Sequence, residues 1–196
     1  MARDEQTAKW IELGMRGDET ACAALFHIYY PQVLRLSLGL LNDWADAEEV
    51  AQDSFVYAFR NLGRYEAAKS AFRTWLFTIA LSRCRNKRRR KLLELLPLEA
   101  LHAESVPVPR EVEQVLERRG LRRQIWQAIQ ALPSHLRETL ILRYLGEMRY
   151  KEVAEVMQCS DRTAEARARA AMDALRDALK VTGDATEMAL AELSTW

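Results

Sequence analysis

Apolar residues recur at three- and four-residue steps along most of this chain, the spacing that turns one helix face toward a core. Residues 46–62 are the clearest case. Ala47, Val50, Ala51, Ser54, Phe55, Ala58, Phe59 and Leu62 mark one face, with Glu49, Gln52, Asp53 and Arg60 largely off it. Asp46 and Glu49 have capping-box spacing, with Asp46 as the N-cap. Residues 7–38 read as two helices broken near Gly17 and Asp18, and Pro31 permits a new start or a kink. After a loop at 63–70, Phe72, Trp75, Leu76, Ile79 and Ala80 form the inner stripe of another helix. Leu121, Ile125, Ile129 and Leu132 share a face before Pro133. Leu136, Leu140, Ile141 and Tyr144 mark the next helix, with Gly146 as its C-cap. A short helix at 150–157 then leads to Ser160, a natural N-cap. Beyond it Ala164, Ala168, Ala171 and Leu175 fall on one side and Arg162, Ala166, Arg169 and Asp173 on the other. No stretch alternates with the period of two that marks a strand, so the fold class is all-α.

Pro97, Pro107 and Pro109 interrupt a stretch rich in Glu, which disfavours a packed core. The pattern therefore predicts two small helical domains, 10–92 and 118–179, joined by a flexible acidic linker at 93–117. The tail, 180–196, carries Met188, Leu190, Leu193 and Trp196, a small apolar face with no evident partner.

Charge sharpens this division. The 29 Lys and Arg nearly balance the 28 Asp and Glu, but they are segregated. Arg83, Arg85, Lys87, Arg88, Arg89, Arg90 and Lys91 form a basic block; Glu94, Glu99, Glu104, Glu111, Glu113 and Glu117 follow it with only Arg110 as a strong base among them. Separate blocks suggest separate partners. No apolar run is long enough to span a bilayer and the first nine residues lack a secretory pattern, so the expected location is cytoplasmic. Cys22, Cys84 and Cys159 have no metal or redox spacing and read as buried thiols.

Two constellations carry chemistry. The helix–turn–helix at 149–179 presents exposed arginines suited to a DNA major groove, though an ordinary helical hairpin with a solvated face explains the pattern equally well. The second spans 65–91, where Tyr65, Phe72, Trp75 and Phe77 alternate with Arg64, Lys69 and Arg73 ahead of the basic block. Cations neutralise phosphate and aromatic faces stack on unpaired bases; at helical spacing, Phe72 and Trp75 also fit a plain core.

Both constellations on one chain, in this order, are far more specific. The stretch DAEEVAQDSFVYAFRNLGRYEAAKSAFRTWLFTIALSRCRNKRRR resembles the second conserved region of bacterial RNA polymerase sigma factors of the extracytoplasmic-function (ECF) group, within the sigma-70 family. ALPSHLRETLILRYLGEMRYKEVAEVMQCSDRTAEARARAAMDALR resembles their fourth region. The resemblance implies a transcription initiation factor, linked to stress responses, that binds core RNA polymerase, directs it to promoter DNA and assists melting. It implies no catalytic residue, metal or cofactor. For core binding it points to Asp46, Glu49, Gln52 and Asp53. For the minus-ten element it points to the loop residues Arg64, Tyr65 and Glu66 and to Arg73, Trp75, Ser82, Arg83, Asn86, Lys87, Arg88, Arg89 and Arg90. For the minus-thirty-five element it points to Ser160, Arg162, Thr163, Glu165, Ala166, Arg167 and Arg169. Ser82 stands where the family usually has Asn and Asn86 where it often has Asp; Ala164, Glu165, Ala168 and Ala170 depart from the usual Val, Lys, Leu or Val, and Arg. The family further implies an anti-sigma partner, often membrane-anchored, for a factor that is itself monomeric when free and not a membrane protein.

Two other classes fit less well. A helix–turn–helix repressor with a sensor domain leaves the aromatic–basic stretch at 64–91 without a purpose. An enzyme would need a ligand set or a phosphate loop; His27, His102 and His135 have no metal spacing and no glycine-rich phosphate motif is present.

Overall fold

The computed structural model describes residues 2–95 and 124–179, with side chains placed for 5–93 and 124–179. All regular structure among these residues is helical. The N-terminal unit holds α1 (Ala2–Met15), α2 (Glu19–Leu41), α3 (Trp44–Arg60), a short 3-10 turn (Leu62–Arg64) and α4 (Phe72–Leu95). The C-terminal unit holds α5 (124–131), α6 (Ser134–Tyr144), α7 (Tyr150–Met157) and α8 (Asp161–Leu179). Most of the predicted linker and all of the tail lie outside the described residues.

Local chemistry sets each boundary. Gly17 adopts φ 88°, a conformation natural to glycine, and Asp18 then caps α2 by accepting from Ala21 N at 3.0 Å. α2 passes through Pro31 without ending. It stops at Asn42, in the left-handed region at φ 53°, whose N–H returns to Leu38 O at 2.8 Å. The N-cap of α3 is Asp43 and not Asp46: Asp43 Oδ1 accepts from Asp46 N at 3.0 Å. Asp46 falls in the first turn, so its spacing to Glu49 mimics a capping box three residues late. Ser160 Oγ accepts from Thr163 N at 3.1 Å and starts α8. Gly146 does not cap α6 directly, since the C-cap is Leu145, but a Cβ at Gly146 would lie 2.5 Å from Leu142 O. Only glycine fits there.

The core begins where α2, α3 and α4 meet. Leu25, Leu36, Phe55, Leu76, Phe77 and Leu81 are essentially inaccessible. Burying each such side chain stabilises the fold by about 1.5–3 kcal/mol. In the C-terminal unit Ile129, Leu140, Ile141 and Leu142 are equally buried, and α8 contributes Ala164, Ala168, Ala171 and Leu175. Ala on α8 lets it lie close to α6 and α7. One contiguous apolar cluster passes through both units. Gly39 explains the join. A Cβ there would come within 2.9 Å of Leu145 Cδ2 and 3.0 Å of Ile141 Cγ2, so bare backbone admits α6 to the side of α2.

Candidate nucleic-acid and polymerase interfaces

α3 and α4 face each other along a ladder of opposite charges. Asp43, Asp46, Glu49 and Asp53 rise along α3 as Lys91, Lys87 and Arg83 descend along α4. Lys91 Nζ pairs with Asp43 at 3.3 Å and, more closely, with Asp46; Lys87 Nζ lies 3.3 Å from Asp46 and 2.6 Å from Glu49; Arg83 reaches Asp53 at 3.4 Å. Steps of three or four residues on both helices bring one rung forward per turn. The hydrogen bond from Lys87 to Glu49, and that from Lys91 to Asp46, raise the two ammonium pKa values above their ordinary range. The backbone N–H of Asp46, and then Lys91, hold the Asp43 carboxyl below its ordinary range.

This ladder divides the predicted polymerase-binding residues. Asp46 is only 9% exposed and turned to α4, so it does not stand on the outward face. Glu49, Gln52 and Asp53 are exposed, beside Glu48. The same face presents Trp44, Val56 and Tyr57, large apolar side chains left open to solvent, and the Arg83 guanidinium sits 5.1 Å from the Tyr57 ring centroid. Periodicity assigned Val56 and Tyr57 to neither core nor site; their exposure on a helix of otherwise polar outward positions was the available signal.

The basic block likewise separates into rows. Arg83, Lys87 and Lys91 point to α3. Arg85 and Arg88, with Arg73 upstream of the block, turn to the C-terminal unit: Arg73 bonds to Gly146 O, Arg85 makes two bonds to Glu138 at 3.0 and 2.7 Å, and Arg88 bonds to Gln130 Oε1 at 3.0 Å as well as to Leu40 O of α2 at 2.9 Å. Ser82, Asn86, Arg89 and Arg90 form the open row, with Arg89 3.4 Å from Asn86 Oδ1. The one-dimensional block thus offers outward charge chiefly at Arg89 and Arg90.

The loop ahead of α4 is braced by aromatics. Tyr65, Phe72 and Trp75 have ring centroids 5.4–5.7 Å apart, and the Tyr65 hydroxyl donates to Ser70 O at 3.0 Å. Phe72 and Phe77 are buried and belong to the core. Trp75 is half-buried, with Tyr65 beside it, while Arg64 and Glu66 are exposed. Glu66 pairs with Lys69 at 2.7 Å. A rigid aromatic base under an exposed polar loop suits capture of an unstacked base.

In the helix–turn–helix, α7 ends at Gln158 in the left-handed region, and the chain turns straight into α8. Arg162, Glu165, Ala166 and Arg169 are exposed, with Thr163 and Arg167 half-buried and Ser160 engaged as the cap. Glu165 accepts from Arg169 at 3.0 Å, so this arginine's charge is partly committed along its own helix. Arg162 is the exposed cation nearest the N-terminus of α8, where a recognition helix meets base edges.

A helical unit with a braced aromatic loop and basic helix, followed by a helix–turn–helix unit, defines a promoter-recognition factor. The family models agree: sigma-70 region 2 matches residues 25–92 and sigma-70 region 4 matches residues 122–175. The RNA polymerase sigma-H factor of Pseudomonas aeruginosa is 33% identical over 189 residues, covering 92% of this chain and 97% of that protein. The ECF RNA polymerase sigma-E factor of Escherichia coli is 30% identical over 173 residues, covering 84% and 90%. The fold is similar to that of CnrH in complex with the cytosolic domain of CnrY, with TM-score 0.68, 21% identity and coverage of 89% and 97%. It is also similar to RpoE in complex with the anti-sigma factor NepR from Bartonella quintana, with TM-score 0.63, 21% identity and coverage of 81% and 96%. The chain belongs to the ECF group of the sigma-70 family. It is a transcription initiation factor, not an enzyme, and serves core RNA polymerase at promoter DNA.

Proposed function

We propose that the outward face of α3 (Glu48, Glu49, Gln52, Asp53, Val56 and Tyr57) docks on core polymerase, the 64–66 loop with Trp75 and the open row of α4 captures the minus-ten element, and α8 reads the minus-thirty-five element. The observation that carries this is the three-way division of α3 and α4. Asp46 is taken up by Lys87 and Lys91 beneath the surface, while Glu48, Glu49, Gln52 and Asp53 stay open to solvent, which leaves an apolar–acidic face on one helix and a basic, aromatic-rooted face on the other. Binding an extruded base offsets the few kcal/mol of unstacking, so melting needs no hydrolysis. The factor works in the cytoplasm, where the polymerase is; no described helix is long and apolar enough to cross a membrane. An anti-sigma protein is a suitable regulator, since both solved relatives above were captured with a binding protein. The test is a panel of loop variants at Arg64, Tyr65 and Glu66, transcribed from a promoter library randomised at the minus-ten element. A changed base preference supports the assignment; equal loss on every promoter removes it.

A further inference from the structure

None of the site residues assigned above lies on α1, yet α1 reaches the loop at 64–66 by two routes. The first runs through Gly14. A Cβ there would lie 2.9 Å from Leu62 Cδ2 and 3.2 Å from Cys22 Sγ, so bare backbone gives the Leu62 side chain its seat. Leu62 is buried and opens the 3-10 turn Leu62–Arg64. Its carbonyl accepts from Tyr65 N at 3.0 Å, which ties that seat directly to the start of the loop. A close-packed interior offers a displaced side chain little room, so a shift at Leu62 passes into the turn.

The second route runs through hydroxyls and rings. Thr7 is buried, with Oγ1 3.4 Å from the Tyr29 hydroxyl of α2. The Tyr29 ring meets Phe72 edge-on at 5.4 Å between centroids, and Phe72 meets Tyr65 in the same way at 5.5 Å. Edge-to-face pairs prefer one mutual orientation, so each ring constrains the next. Between the two routes α1 and the loop stand apart across an open cleft, with Thr7, Ala8 and Ile11 on one wall and Tyr65, Ala67 and Ala71 on the other. The loop therefore has space to move when either route is altered.

We propose that α1 sets the pose of the minus-ten loop: Gly14, acting through Leu62, and Thr7, acting through Tyr29 and Phe72, are positioning residues that bias which base the loop prefers. This rests on the assignment of residues 64–66 to the minus-ten element given above. The leverage is geometric. Hydrogen bonds to a base edge hold over a donor–acceptor range of about 0.5 Å. Moving Tyr65 and its exposed neighbours Arg64 and Glu66 by a similar amount exchanges one set of base contacts for another. A helix that only stabilised the unit would, when perturbed, lower transcription alike from every promoter.

The test is transcription by holoenzyme reconstituted with the full-length chain, from libraries randomised at the minus-ten or at the minus-thirty-five element. Core association and thermal unfolding are measured on the same proteins. Gly14→Val intrudes on Leu62, and adding Leu62→Val shortens the side chain that it meets. Thr7→Val removes the hydroxyl at nearly constant shape and brings no new bulk. Gly14→Val should change the ratio of preferred bases at one minus-ten position severalfold, and Thr7→Val should change it by less. The Gly14→Val/Leu62→Val double variant should return toward the wild-type ratio. Minus-thirty-five preference and core association should be unchanged in all three. Wild-type minus-ten ratios in Gly14→Val and Thr7→Val, or a loss equal on all promoters, would overturn the proposal; if Gly14→Val does not fold, Thr7→Val alone decides. Glu66→Ala, a change within the loop itself, separates the two claims. Shifted ratios there with wild-type ratios in the α1 variants leave the loop assignment standing and remove the role of α1, whereas unshifted ratios in Glu66→Ala remove both.

Discussion

Lys87 on α4 holds Glu49 on α3 at 2.6 Å, joining the helix assigned to DNA with the helix assigned to polymerase. Charge reversal at Glu49 therefore acts on two things at once. Glu49→Lys should lose an exposed pair worth about 0.2–1 kcal/mol, add ammonium repulsion and weaken core association. Gln52→Lys, outward and without a rung in the ladder, should weaken core association with stability unchanged to within about 0.5 kcal/mol. Thermal unfolding and pull-down with core polymerase separate the two effects. Equal destabilisation by both variants would show that the ladder does not exist as described.

The ladder also fixes a pH response. The Asp43 carboxyl is held low, so its stabilisation is present above its unfolded value and lost as pH falls through the folded one. Lys87 and Lys91 are held high, so theirs is present below the unfolded ammonium value and lost as pH rises through the folded one. Asp43→Ala should cost about 1 kcal/mol near neutrality. Its deficit relative to the parent should begin to shrink as pH falls below about 3.9, where the unfolded carboxyl takes up its proton, and go on shrinking through the lower folded value. Unfolding midpoints across pH measure this; a deficit independent of pH would mean that the cap and Lys91 pairing contribute little.

Outward cations should dominate counterion release. Replacing Arg89 and Arg90 with Ala should reduce the slope of log affinity against log salt by about 2 in promoter binding by the holoenzyme, roughly 0.9 per lost phosphate contact. Replacing Lys87 and Lys91, already paired with carboxylates, should change that slope less and thermal stability more. Identical slopes for the two double variants would erase the distinction between the open row and the ladder.

On α8, Arg162→Ala should relax base selectivity in the minus-thirty-five element by about 1–3 kcal/mol at one position. Arg169→Ala should do less, since Glu165 already engages that side chain, and Glu165→Lys should raise general DNA affinity. Transcription across a library randomised at that element reports all three. Wild-type preferences in every variant would mean that α8 is not the reader.

The helices were legible because their faces and caps are local. Ser160 and the Gly17–Asp18 break act within four residues, and the alanines of α8 repeat at helical spacing. Asp43 was missed because Asp46 offered the same capping residue at a familiar spacing to Glu49, and pattern alone cannot choose between adjacent acids. The division of the basic block was invisible for a different reason. Periodicity tells which side chains share a face but not what that face meets, and Arg85 finds Glu138 from 53 positions away. The role of Gly39 is invisible for the same reason, since it depends on Leu145 and Ile141, more than a hundred positions away, lying against it.

Selection of promoters for RNA polymerase by this chain can be measured by transcribing genomic DNA with purified core polymerase, with and without the protein, and mapping every RNA 5′ end. A discrete set of start sites should appear only with the protein, share elements near minus ten and minus thirty-five, and shift in minus-ten preference with Tyr65 or Glu66 variants. A start-site map indistinguishable from that of core polymerase alone would contradict it.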